Sequence, residues 1–103
     1  MRKLARFENE ADAEYRAAGS WYEERVVGLG IEFFDAVDAT LDQIVRLPKA
    51  GALVRHVPVD LQVRRAPVKR FPYHVVYLET ASTILVLAIA HDRRRPGYWT
   101  SRL

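Results

Sequence analysis

Ile84-Leu85-Val86-Leu87-Ala88-Ile89-Ala90 is a run of seven apolar side chains with no polar alternation. A half-exposed strand would alternate; an uninterrupted run of this length between turn signals reads as a strand covered on both faces, at the centre of a sheet. The run stops abruptly in His91-Asp92-Arg93-Arg94-Arg95-Pro96-Gly97-Tyr98-Trp99. An imidazole, three guanidiniums and two aromatic rings therefore stand at one end of the central strand. Guanidinium forks hold phosphate or carboxylate oxygens, aromatic faces stack on bases, and imidazole or phenol moves protons. The combination points to RNA, DNA or an acidic protein partner, not to a small metabolite.

Working outward, Thr80 to Thr83 reads as a turn, and Tyr73 to Glu79, rich in β-branched and aromatic residues, as the preceding strand. Leu61 to Arg70 reads as an irregular strand interrupted by Pro67, which lacks a ladder donor and so belongs at an edge or a bulge. Residues 48–60 hold two prolines and a glycine without a clear period and read as a loop. Before them the period is helical. Phe33, Val37, Leu41 and Ile44 form one stripe, with Glu32, Asp35, Asp38 and Asp42 largely off it, and Pro48 ends that helix. Gly28-Leu29-Gly30 separates it from a first helix, expected from Asn9 as N-cap to about Glu24, with Ala11, Tyr15, Ala18 and Tyr22 at helical spacing. Glu10, Asp12 and Glu14 sit where the helix dipole favours acids. Leu4 to Phe7 is a short first strand. The order is β-α-α-β-β-β, an α+β fold of two layers. A helical hairpin packs on one face of a small, mostly antiparallel sheet, and basic residues collect on the other face and its rim.

The 103 residues fit one domain spanning 1–103, and half of them are hydrophobic, enough to fold without a metal or disulfide. There is no cysteine, which excludes a disulfide framework and a thiolate metal site and fits a reducing cytoplasm. No segment has the order of a signal peptide or the roughly 20 apolar residues of a membrane helix, so no membrane partner is expected. Net charge is +3, with a pI near 9.5. Residues 1–51 carry seven Lys/Arg and ten Asp/Glu, whereas residues 52–103 carry nine and three. The second half is therefore strongly basic, and its field raises encounter rates with acidic surfaces.

The pieces together resemble the RelE/ParE superfamily, the toxin halves of bacterial type II toxin–antitoxin modules. Phe7, Glu10, Ala11, Ala18 and Trp21-Tyr22-Glu23-Glu24 resemble the family's first-helix pattern, and Gly28-Leu29-Gly30 followed by Phe33, Phe34, Ala36, Val37 and Ile44 resembles its second. Arg70-Phe71-Pro72-Tyr73-His74-Val75-Val76-Tyr77 and His91-Asp92-Arg93-Arg94 with Pro96, Tyr98 and Trp99 complete the resemblance. It covers nearly the whole chain. It implies a two-layer fold and a growth-inhibiting toxin, bound in a hetero-oligomer by a cognate antitoxin encoded in an adjacent gene. Two targets remain open. RelE-like members cut mRNA in the ribosomal A site; ParE-like members inhibit DNA gyrase without nuclease chemistry; an inactive relative would only bind antitoxin. The residues lean slightly toward the ribosome and its mRNA.

Metal-free RNA cleavage needs a base for the 2′-hydroxyl, cations for the phosphorane and an acid for the leaving oxygen. The resemblance makes Arg93 the cation at the scissile phosphate, His91 or Tyr98 the proton carrier, and Arg65 and Lys69 phosphate binders. Arg70, His74, Arg94 and Trp99 are further contact candidates. Trp99 either packs on the sheet or stacks on a base. His74 stands where many RelE-like nucleases carry an arginine, and their dense lysines before the basic strand are missing here. Trp21 and Tyr22 are expected to pack. His56, in a proline-flanked loop, is read as non-functional. Three histidines without clustered carboxylates make a poor ligand set, so neither metal nor cofactor is expected.

Overall fold

A computed structural model describes residues 2–55, 57–58 and 60–103; His56 lies outside them. The elements are β1 (Leu4–Phe7), α1 (Asn9–Arg25), α2 (Leu29–Arg46), β2 (Ala52–Leu53), β3 (Val63–Pro67), β4 (Tyr73–Glu79) and β5 (Thr83–His91), followed by a 3₁₀ turn at Thr100–Arg102. The sheet order is β1-β5-β4-β3-β2, with β1 parallel to β5 and the remaining pairs antiparallel. This is the expected α+β architecture with one strand more. Ala52–Leu53, inside the expected loop, pairs with Arg65 and Arg64. A two-residue strand has no period of its own to detect.

Helix α1 is capped one residue earlier than expected. Glu8, not Asn9, takes the N-cap, accepting the Glu10 N–H at 2.9 Å. Gly28 adopts φ 89°, the left-handed turn that lets α2 fold back along α1. The two helices approach closely because Gly19 and Gly30 lie between them. A Cβ on Gly30 would sit 2.6 Å from the Gly19 carbonyl, and one on Gly19 would collide with the Phe34 ring.

The hairpin covers one face of the sheet. Phe33, Val37 and Ile44 from α2 meet Val75, Tyr77, Ile84, Val86 and Ile89, with Tyr15, Tyr22, Phe71 and Tyr73 around them. The other face is not simply a basic platform. Val63, Val76, Leu87, Ala88 and Ala90 form a second apolar cluster there, closed by Trp99. That corrects the expectation of a basic far face, and it explains why β5 is apolar at every position: both faces are covered.

Strand β3 is shorter than its expected span, and Pro67 is its last residue, opposite His74. β2 pairs only as far as Arg65, so Pro67 lies past it and its missing N–H faces no neighbour strand. Between Val76↔Ala88 and Tyr77↔Val86 the register slips, leaving Leu87 as the extra residue of a β-bulge. Leu87 and Ala88 consequently face the same way. The slip also sends Ile89, and two residues later His91, to the helical face.

Candidate functional site

The bulge divides the expected site. His91, on the helical face, meets Tyr73 edge to face at 5.1 Å and accepts the Arg93 N–H through Nδ1 at 3.1 Å. His74, whose partner on β5 is Ala90, faces the second cluster's side, with Nδ1 2.9 Å from Asp92 Oδ1. The two imidazoles thus stand on opposite faces.

The remaining candidates are spread similarly. Arg65 follows Val63 by two and lies on the far face, in a shallow hollow with Leu53, Arg55 and Pro96. Lys69 and Arg70 sit at the β3–β4 turn against α2; Arg70 pairs with Glu32 at 3.5 Å, and Lys69 shares a hollow with Asp35 and Thr40. Trp99 is only 3% exposed, so of its two expected roles it packs, and its face is not open to a base. Of the three consecutive arginines, Arg93 and Arg95 are exposed and have no ion-pair partner among the described residues. Arg94 turns back to Glu14 at 3.4 Å and lies over the Tyr98 ring at 3.7 Å.

Glu14 is the residue that sequence reading missed. It shares the buried stripe of α1 with Ala11 and Ala18, and its carboxylate collects donors from the far end of the chain. The Tyr98 hydroxyl donates to Oε2 at 2.7 Å. Arg102, its side chain 7% exposed, donates Nη1 to Oε1 at 2.9 Å and Nη2 to Oε2 at 3.0 Å, a two-pronged pairing. The Ile89 N–H donates to Oε1 at 3.1 Å. Arg102 Nη1 also reaches the Leu87 carbonyl at 3.0 Å, and its Nε approaches Glu10 at 3.2 Å without hydrogen-bond alignment.

These bonds have a clear physical cause. β1 ends at Phe7, opposite Val86, so from Leu87 onward the β1 side of β5 has no neighbour strand. Buried backbone groups need partners. Glu14 and Arg102 supply them, continuing the ladder with side chains. One sign was present in the sequence: Arg94, Tyr98 and Arg102 recur every fourth residue, and a single acid lies on the inner stripe of a helix.

Burial first, and then the Glu14 hydrogen bond, hold the Tyr98 phenol above its ordinary range. A phenol in that setting keeps its proton and directs it to a carboxylate. Beside the network lies a groove of about 400 Å³ between α1 and the end of β5. Ala18, Tyr22, Tyr73 and Ile89 give it apolar lining, and Glu14, His91 and Arg94 are its charged and polar members. Tyr22 packs as expected, against Phe33 and Phe71, whereas Trp21 is 50% exposed at the groove with Arg25 stacked 3.5 Å above it.

No curated protein sequence matches the chain. Among solved structures, the chromosomal ParDE TA system from P. aeruginosa superimposes with a TM-score of 0.69 at 15% identity, covering 87% of this chain and 96% of that one. At that identity the likeness is one of fold. The family model described as the ParE toxin of type II toxin-antitoxin system, parDE, matches residues 5–96, which take in both helices, β2 to β5, all of β1 but Leu4, and the three arginines. By that match the chain belongs to the ParE toxin family.

Proposed function

We propose that this protein is a growth-inhibiting toxin that acts by binding a protein target, DNA gyrase, and not by cutting RNA. The observation that supports it is the state of the groups a nuclease would need. The Tyr98 hydroxyl is engaged as a hydrogen-bond donor to Glu14 beneath two guanidiniums, His91 and His74 face opposite sides of the sheet, and Trp99 is buried. The exposed chemistry is a basic arm, residues 92–103, from which Arg93 and Arg95 project with no ion-pair partner among the described residues. Exposed arginines on a rigid support fit recognition of an acidic protein surface. In this reading the chain is one cytoplasmic domain, and an acidic antitoxin from the adjacent gene binds it in a hetero-oligomer.

One observation favours the ribosome-dependent nuclease. His74 and Asp92 form a close imidazole–carboxylate pair next to Arg93, which could activate a 2′-hydroxyl beside a phosphate-binding cation. Two measurements separate the readings. Purified protein should inhibit gyrase supercoiling, and the 5′ ends of translated mRNA in induced, growth-arrested cells should be unchanged. New cuts within codons that vanish when translation is blocked would overturn the binding mechanism in favour of cleavage.

A further inference from the structure

We propose that Glu14 is the positioning residue of the basic arm, setting the register in which Arg93 and Arg95 are presented. The inference rests on the reading of that arm as the acting surface. Three observations carry it. First, Glu14 receives donors from Arg94, Tyr98 and Arg102, three arm residues spaced four apart in the chain, as well as from the Ile89 amide. One carboxylate thereby fastens the arm along its length to both α1 and β5.

Second, Glu14 divides the arginine run. By drawing Arg94 back over Tyr98, it pairs the middle charge and leaves its two neighbours without an ion-pair partner among the described residues. Without Glu14, three guanidiniums would repel one another on a segment containing Pro96 and Gly97. Third, the arm's other directed side-chain anchors lie at its two ends, where His74 holds Asp92 and the Leu87 carbonyl accepts from Arg102 Nη1, so between them only Glu14 draws in the middle of the arm through directed side-chain bonds. Trp99 is held by burial, which is non-directional, and the Asp92 amide bonds the Pro72 carbonyl at the arm's root. Directed, charge-assisted bonds are what fix an orientation, and a surface already ordered loses less entropy on binding.

The test combines Glu14→Ala and Glu14→Gln with Arg93→Ala/Arg95→Ala, in the full-length protein. Growth arrest is read as the soluble protein level that halves growth, and arm order as amide hydrogen exchange. Glu14→Ala should raise the required level about tenfold, the scale of losing charged hydrogen bonds. Glu14→Gln, which keeps an acceptor for Ile89, should fall between it and the parent. In both, the Tyr98, Thr100 and Arg102 amides should exchange faster relative to Val76 and Tyr77 in β4. Phe33→Leu, destabilised through the core, should keep the arm's relative protection and its potency. If Arg93→Ala/Arg95→Ala arrests growth as the parent does, the arm is not the acting surface and the underlying reading fails. If that variant loses potency while both Glu14 variants keep theirs, or keep arm protection, the role of Glu14 alone is overturned.

Discussion

Tyr98 shows how a residue with catalytic chemistry is turned to structure by its surroundings. Its hydroxyl lies 2.7 Å from a carboxylate already held by a guanidinium fork, and its ring lies beneath Arg94. Removing only the hydroxyl, in Tyr98→Phe, should lower stability by about 1 kcal/mol, the net worth of one hydrogen bond, as measured by urea unfolding. Growth arrest should persist. Its loss, with folding intact, would return Tyr98 to a chemical role. The other tyrosines share its electrostatic character. All five are held above the ordinary phenol value, in each case by burial first. Tyr15 is pushed to about 12, with Asp38 adding to the effect of burial. A raised folded pKa favours the protonated form in the fold. Its stabilisation is complete below the unfolded value near 10 and is lost as pH rises through 12. The melting temperature should therefore fall across that window, and Tyr15→Phe should flatten the fall. A melting temperature independent of pH there would contradict the burial of these phenols.

At the level of elements, the helical hairpin depends on closeness more than on greasy bulk. α1 buries only Ala11, Ala18 and Gly19, whereas α2 brings Phe33, Val37 and Ile44. The thin face of α1 lets those side chains reach the sheet beneath it. Gly30→Ala should therefore destabilise the fold by about 1–3 kcal/mol through overpacking, although alanine is the better helix former. Denaturant unfolding decides which effect wins, and a more stable Gly30→Ala protein would mean the helices can separate freely. The edge of β5 obeys a similar spatial demand. A four-residue β1 leaves its last residues unpaired, and Glu14 and Arg102 complete the ladder. Here the helical periods and the strands Tyr73–Glu79 and Ile84–Ala90 were legible, because each stems from local alternation or its absence. Neither the two-residue β2 nor the Leu87 bulge was legible, since both exist only through pairing with another strand.

For the molecule as a whole, the separation of charge along the chain becomes a separation in space, but not a simple one. The acidic first half contributes Glu14 and Glu32, which take up Arg94 and Arg70 from the basic half. Long-range attraction therefore depends on the cations left over. On a polyanionic column such as heparin, Arg93→Ala/Arg95→Ala should elute at clearly lower salt than the parent. Arg94→Ala should move elution far less than either single change, because its charge is already matched within the fold. Equal shifts for all three arginines would show that Glu14 does not shield Arg94. Rim charges of this kind govern encounter more than final affinity, so the same variants should slow association with an acidic partner.

From the sequence by itself came the two-layer α+β order, the hairpin, the central strand and the basic end. These follow from short-range causes: side-chain period, proline and glycine geometry, and the sign of charge in each half. The candidate residues were visible individually, and their grouping was not. Glu14 and Arg102 are 88 residues apart, so no local pattern reports their contact. Which face His91 occupies depends on one extra residue in a strand, a matter of pairing register decided by β4 and β5 together. Whether Trp99 meets solvent or core depends on where the arm folds back. Chemistry belongs to the side chain, whereas access and partnership belong to the tertiary structure, because only folding brings distant groups within hydrogen-bonding reach and removes others from water.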